Sequence, residues 1–350
     1  MITPEAESRL RSLTVPGRAV VGRVCKEIST SLVPMISQLL RVIKDLSDKP
    51  ESMSVNDLVE FVNSEPTTMG RVISIANSLG FNTRGVEIVS VHHAVSIIGF
   101  NRVRTLAISI LLLDGAQSKS TAAANRELAG AALISGLVAA EICRLGAPAD
   151  PELAFICGAL RGYGRMLAAT FLPQEYAEAV KLSAREDYER SFEKVFGLSA
   201  LELGREVLLE MKVPSAIMNT FEKFSPNSAN SASALLAAAD FGLRTSELLH
   251  APDLTSDNFE PRLVALSNMY DFPVKLVRDD ARQVLHHIVG VLEGFRYQAG
   301  SYLRTVVIFK RVHCLAAESP LPPPYGMQFK AAPPIKPVAP EKIEPPNYDI

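Results

Sequence analysis

SEPTTMGRVISIANSLGFNTRGVEIVSVHHAVSIIGFNRVR, residues 64–104, decides the fold class. Ser64 is a capping residue, and Pro66 sits in the opening turn behind it, where a missing N–H costs nothing. Met69, Val72, Ile73 and Ala76 follow at i, i+3, i+4 and i+7, one apolar face of a helix. Asn77, Ser78 and Gly80 end it, since Asn and Gly tolerate left-handed backbone. Ser90 caps the next helix, in which Ala94, Val95, Ile97 and Ile98 are candidates for burial, and Gly99 stops it. Asn101 is the expected cap of the following one. The stretch therefore predicts two short amphipathic helices, a turn-rich link and the start of a third helix.

Outward from there, nearly every periodic segment is helical. Ile36, Leu39, Leu40 and Ile43 share a face behind Pro34, and Ser54 with Asp57 gives a capping-box-like start to another helix. Val103–Leu113 is apolar almost all round, the pattern of a helix buried on every side. AQSKSTAAANRE, residues 116–127, reads as a break. Helices are expected over 129–144, 152–160, 164–170, 175–182, 201–211, 215–224, 234–249, 261–270 and 274–291. Residues 302–312 fit a helix or a short strand, and periodicity leaves that choice open. No repeat of fixed period is visible, which argues against a solenoid.

The fold class implied is all-α: a multi-helix bundle over 31–225, a helical extension over 226–316 and a lead-in over 1–30. Ten of the 23 prolines fall between Glu318 and Ile350. Such a segment buries too little apolar area to offset its ordering, so 317–350 is expected to be a disordered tail. P-x-x-P spacings within it are nearly guaranteed by its composition.

A formal charge of −2 with mixed signs lacks the basic face that phosphate neutralisation requires, so nucleic acid is not an expected partner. Cys25, Cys143, Cys157 and Cys314 are widely spaced, giving neither a C-x-x-C metal pair nor a disulfide framework, and a reducing cytoplasm fits them. The N-terminus lacks the apolar run of a signal peptide, and the longest apolar stretches fall short of a membrane span. No Gly-x-Ser-x-Gly elbow or Gly-rich phosphate loop occurs. His92-His93 and His286-His287 are adjacent pairs whose rings point about 100° apart on a helix, a poor arrangement for one ion.

In its order of elements the chain resembles the HDOD family, the HD-related output domain of bacterial signalling proteins. The features are the Pro-initiated helix, the Ala-Asn-Ser ending, the Ser-x-x-x-Ala-x-x-x-x-Gly helix and the Arg-x-Arg turn. The resemblance covers about Leu32 to Phe224 and implies an HD-domain-like helical bundle, a degenerate relative of metal-dependent phosphohydrolases. In such hydrolases a His-Asp pair with outlying His and Asp residues holds the metal that activates water. The corresponding frame here is Gly158, Ala159, Leu160, Arg161, Gly162, Tyr163, Gly164, Arg165. Arg161 and Gly162 stand where the resemblance places His and Asp. Ala200 stands for another His, and Glu222-Lys223 for a His-His pair. The helix 129–144 contains no His. The resemblance thus implies a non-catalytic protein with no catalytic residue, no metal site and no cofactor.

Arg161, Tyr163 and Arg165 would line the floor of the old cleft, suited to an anion or a partner carboxylate. Arg102 and Arg104, at i and i+2, cannot share a helix face, so one is free to meet a partner. The expected role is a protein-interaction scaffold in bacterial signal transduction, bound to a protein partner and not to a membrane. The alternative is a small-ligand sensor using the degenerate cleft.

Overall fold

A computed structural model describes residues 13–30, 54–63, 66–77, 85–115, 122–183, 187–211, 213–224, 233–273, 275–296 and 305–325. All regular structure among them is helical. Helix α1 (Val15–Thr30) falls in the lead-in whose structure the sequence left open. Then come α2 (Val55–Asn63), α3 (Pro66–Ala76), α4 (Val91–Ile98) and α5 (Phe100–Gly115), which pack on one another. The helix expected behind Pro34 and the Ser64 cap lie outside the described residues.

Among the described residues, the caps read from the sequence hold at Ser54, Ser90 and Gly99. Ser54 and Asp57 exchange bonds, with the Asp57 amide donating to Ser54 Oγ and the Ser54 amide to Asp57 Oδ2. Ser90 Oγ accepts from the His93 amide at 3.0 Å, and Gly99 closes α4 at φ 91°, where a side chain would be strained. One expectation is corrected: α5 begins at Phe100, so Gly99, whose carbonyl accepts from Val103, holds the place given to Asn101. Asn77 does more than end α3. Its side chain donates to Ile73 O and Ile88 O and accepts from Ile88 N at 2.7 Å, tying down the link to α4. Asn77→Ala is expected to cost about 2 kcal/mol, because it strands both backbone groups of the buried Ile88. Hydrogen exchange at the Ile88 amide should rise in step.

Helix α6 (Ala122–Arg144) is the axis of the molecule, and its first turns occupy residues 122–127, which composition had marked as a break. Against it lie α7 (Pro151–Arg161) and α13 (Ala234–Leu249), each also touching the other. Around these run α8 (Tyr163–Phe171), α9 (Pro173–Ser183), α10 (Tyr188–Phe196), α11 (Ala200–Glu210) and α12 (Ser215–Met218), with a 3-10 turn over Asn219–Phe221. The chain finishes with α14 (Ser256–Ser267), α15 (Arg278–Arg296) and α16 (Val307–Ala316). The open choice at 302–312 is resolved for residues 307–312 as helix. Helix α14 carries Pro261 inside it and not at its start. Although α13 lies beyond residue 225, it is part of the same core as α6 and α7.

The crossings are close because glycines sit at them. A Cβ on Gly164 would stand 1.9 Å from Ala200 O, where α8 meets α11. Gly158 and Gly242 both abut Ser135 O, at 2.7 and 2.2 Å from their would-be Cβ atoms, and Ser135 Oγ donates to Gly158 O. None of the four cysteines is joined to another in a disulfide. Burial pushes the Cys157 thiol up to about 12 and those of Cys25 and Cys143 to about 11, values of core residues and not of nucleophiles. No helix among the described residues is long and apolar enough to cross a membrane.

Residues 317–325 depart from the expected disorder. They leave α16 and lie along the body, with Leu321 and Tyr325 packed against the core. The rest of the proline-rich stretch, 326–350, lies outside the described residues.

Candidate functional site

Asp150 starts α7, its Oδ1 accepting from the amides of Glu152 and Leu153 at 2.7 and 2.8 Å, with Pro151 in the first turn. Ten residues on, Arg161 ends the helix and the chain turns through Gly162 into α8. That geometry drives the Arg161 side chain into the interior, where it is 3% exposed. Its Nε and Nη2 donate to Asp240 Oδ1 at 3.1 and 2.7 Å, Nη1 donates to the Thr220 carbonyl, and Nη2 also reaches Glu222 O at 3.1 Å.

Asp240 is the centre of a wider group. Its Oδ2 accepts from Tyr270 Oη at 2.7 Å and from Arg244 Nε at 3.1 Å. Tyr270 is held by stacking on Phe224 and Phe272, with ring centroids 4.6 and 5.3 Å away, and by the edge of Phe241. Burial alone would raise the Asp240 carboxyl. The charges of Arg161 and Arg244, with the bonds from Tyr270 and Arg161, outweigh it and hold the group below its ordinary value. Burial beside that carboxylate pushes the Tyr270 phenol far up.

Of the other expected residues, Arg165 also has internal partners. Arg165, 6% exposed, donates to Glu189 Oε1 and Glu247 Oε1, each at 2.5 Å, and lies 5.0 Å from the Tyr188 ring centre. Burial would lower its pKa, but Glu247 and Glu189 together raise it. Tyr163 is 1% exposed, and among the described residues its hydroxyl has no hydrogen-bond partner. Tyr163→Phe removes a desolvated group without breaking a bond and is expected to raise stability by about 1 kcal/mol in urea unfolding. Arg161 and Arg165 are thus spent within the fold and Tyr163 is buried, so an outside anion would have to displace carboxylates already in place.

Arg102 and Arg104 belong to a different place. Arg102 is exposed, while Arg104 is half-buried, 5.8 Å over the Phe100 ring. Burial lowers the Arg104 pKa against the pull of Glu152 and Asp150 at the start of α7. That start lies about 14 Å of helix rise from Arg161. His92 is exposed and His93 half-buried at the start of α4.

A cleft opens beside Gly162, lined by α6 residues Leu128, Ala131 and Ser135 and by Arg165, Leu243 and His250. Apart from the open solvent at its mouth it has room for little more than one water. His250 was not singled out from the sequence, nor was Glu127. The imidazole Nδ1 donates to Ser246 O at 2.8 Å, and Nε2 faces Glu127 Oε1 at 3.2 Å. Glu127 in turn accepts from the amides of Val307 and Ile308, at 2.7 and 2.6 Å, capping α16. The signal was present for Asp240, a lone carboxylate in the apolar run ALLAAADFGL. A lone acid there must either pair or pay the desolvation cost in full.

The phosphohydrolase metal does not fit this site. The carboxylate that could bind a cation already carries the Arg161 guanidinium and a second arginine. Gly162 supplies no ligand, and Ala200, in the capping box of α11, presents a methyl group. Among the described residues no three His, Cys, Asp or Glu side chains converge as an ion would need.

Residues 33–224 match the family model of the HDOD domain, more than half of the 350-residue chain. A solved HDOD domain protein of unknown function from Geobacter sulfurreducens is similar at a TM-score of 0.58 and 17% identity, over 81% of this chain and 98% of that one. A protein of Shewanella amazonensis SB2B with a provisional phosphohydrolase name gives 0.59 and 19%, over 79% of this chain and 97% of that one. One of Marinobacter aquaeolei VT8, provisionally named for signal transduction, gives 0.52 and 18%, over 75% of this chain and 58% of that one. No curated protein matches the chain significantly. At these identities the likeness establishes the all-α fold, and the family match establishes the membership: the chain belongs to the HDOD family.

Proposed function

We propose that this chain is a non-catalytic signalling protein that works as a protein-interaction scaffold. The observation that carries the reading is the Arg161 guanidinium bonded to Asp240, a fixed cation where a hydrolase of this frame needs a ligand for a removable one. A metal-bound water is the nucleophile in that chemistry, and an arginine cannot generate one. The name of the Marinobacter relative lends the signalling context. The small-ligand alternative has less support, because the donors nearest the cleft are paired with Glu189, Glu247 and Asp240.

Two measurements test this. Bis(4-nitrophenyl) phosphate with Mn²⁺, Ni²⁺ or Mg²⁺ should give no turnover above the metal-only blank, and chelator-sensitive turnover by the protein would overturn the non-catalytic reading. Affinity capture with the wild type and with Arg102→Glu, an exposed change, should recover one stoichiometric partner that the variant loses. Equal recovery would remove Arg102 from the contact, and no recovery of any protein would count against the scaffold.

A further inference from the structure

The segment after α16 is held in the way a bound peptide is held. Glu318 adopts φ 49°, its amide donates to Leu315 O, and the Ser319 amide donates to Cys314 O, a Schellman ending that turns the chain off the helix. Beyond that turn the chain runs Ser-Pro-Leu-Pro-Pro-Pro-Tyr, residues 319–325. Proline fixes its own φ, and each residue before a proline is driven to extended backbone, so sequence alone dictates a polyproline II path with three residues per turn. The exposure pattern has that period. Pro320 and Pro323 are exposed, while Leu321, Pro322, Pro324 and Tyr325 are partly covered.

A proline-rich strand has carbonyls to satisfy and few amides, so its receptor must supply donors. The body supplies two: Ser256 Oγ to Ser319 O at 3.3 Å, and Arg311 Nη1 to Pro322 O at 2.5 Å. Arg311 is itself fixed by Leu249 O and Ala251 O at 2.6 and 2.7 Å, which preorganises the donor. Leu321 and Tyr325 supply the side-chain anchors, the latter within electrostatic reach of Glu127, Arg126 and Tyr176. A preformed extended helix that loses little entropy on docking, its carbonyls met by donors on the receptor, is the chemistry of polyproline recognition.

We propose that the surface under residues 319–325 is a docking site for an extended proline-rich peptide, filled here by the chain's own strap and open to a partner segment of the same chemistry when the strap lifts. The site stands independently of whether the domain is catalytic. It makes the strap a competitor in cis, with an effective concentration that a partner must exceed.

The test uses the full chain, wild type and Leu321→Ser/Tyr325→Ser, with a labelled peptide of residues 318–326 followed by fluorescence anisotropy. The variant should bind the peptide about tenfold more tightly than the wild type, and a peptide with alanine for Pro322 and Pro324 should bind about tenfold more weakly. No binding to a folded variant, equal affinity in both proteins, or indifference to the prolines would overturn the proposal. A variant that dimerises and takes no peptide would show a second copy's strap in the site, and would overturn it as well. Should the double variant fail to fold, millimolar peptide is added to the wild type and the side-chain NMR shifts of Leu321 and Tyr325, which pack on the core, are followed. Movement toward free-peptide values is expected, and unchanged shifts would overturn the proposal.

Discussion

Arg161→Ala should lower the free energy of unfolding by about 3–5 kcal/mol, the range for removing one partner of a buried ion pair. The loss comes less from the contact itself than from what it leaves behind. Asp240 keeps Arg244 and Tyr270, but one of its oxygens loses both donors, and the carbonyls of Thr220 and Glu222 lose theirs. Guanidinium titrations at pH 7 would measure it. A cycle with Asp240→Asn should return a coupling above about 1 kcal/mol. The sign of the pH dependence comes from the depressed carboxyl. Its stabilisation is complete above the unfolded carboxylate value of about 3.9 and is lost as pH falls through the lower folded value. Removing Arg161 raises that folded value, so acid unfolding of the variant should begin at higher pH than that of the wild type.

Gly164→Ala should be as damaging from the smallest possible addition. The new Cβ would lie 1.9 Å from Ala200 O and 2.8 Å from Gly204 N, both backbone atoms, so no rotamer change relieves the clash and α8 must move off α11. Overpacking of this kind costs about 3 kcal/mol or more where helices cannot separate. Gly70→Ala is the matched control, since nothing lies within 4 Å of its Cβ in the exposed middle of α3. There helix propensity alone acts, and stability should rise by about 1 kcal/mol. One substitution type, read by thermal melts, should thus give opposite signs. Equal effects would show that the crossing is looser than described.

The contrast explains what could be read from the sequence. Caps are local, so Ser54, Ser90 and Gly99 announced the ends of their helices without any knowledge of the fold. The glycine frame around Arg161 was also legible, though as a relic of chemistry. The structure gives Gly158 and Gly164 a present purpose as crossing points, which holds whatever stands between them. The pairing of Arg161 with Asp240 spans 79 residues, and no periodicity encodes a partner at that distance. The same gap hid Glu127, whose polar neighbours suggested a break. Residues 317–325 misled through composition. Proline content counts against burial, but proline also has little conformational freedom to lose, so a few contacts suffice to order it.

Glu127 also sets an order of events in the making of the protein. Its carboxylate waits for amides 180 and 181 residues downstream, supplied only when the start of α16 has been synthesised. Until then the second turn of α6 carries a buried acid facing His250 and a helix terminus that does not yet exist. The nascent chain can assemble α6, α7 and α13, yet it cannot close them. A long-range contact of this kind slows the last folding step and leaves a full-length chain distinguishable from one stopped short of residue 307. A chain stopped before that point would keep the His250 contact but lose both amide bonds to Glu127, and a less stable core of this kind is more open to proteolysis.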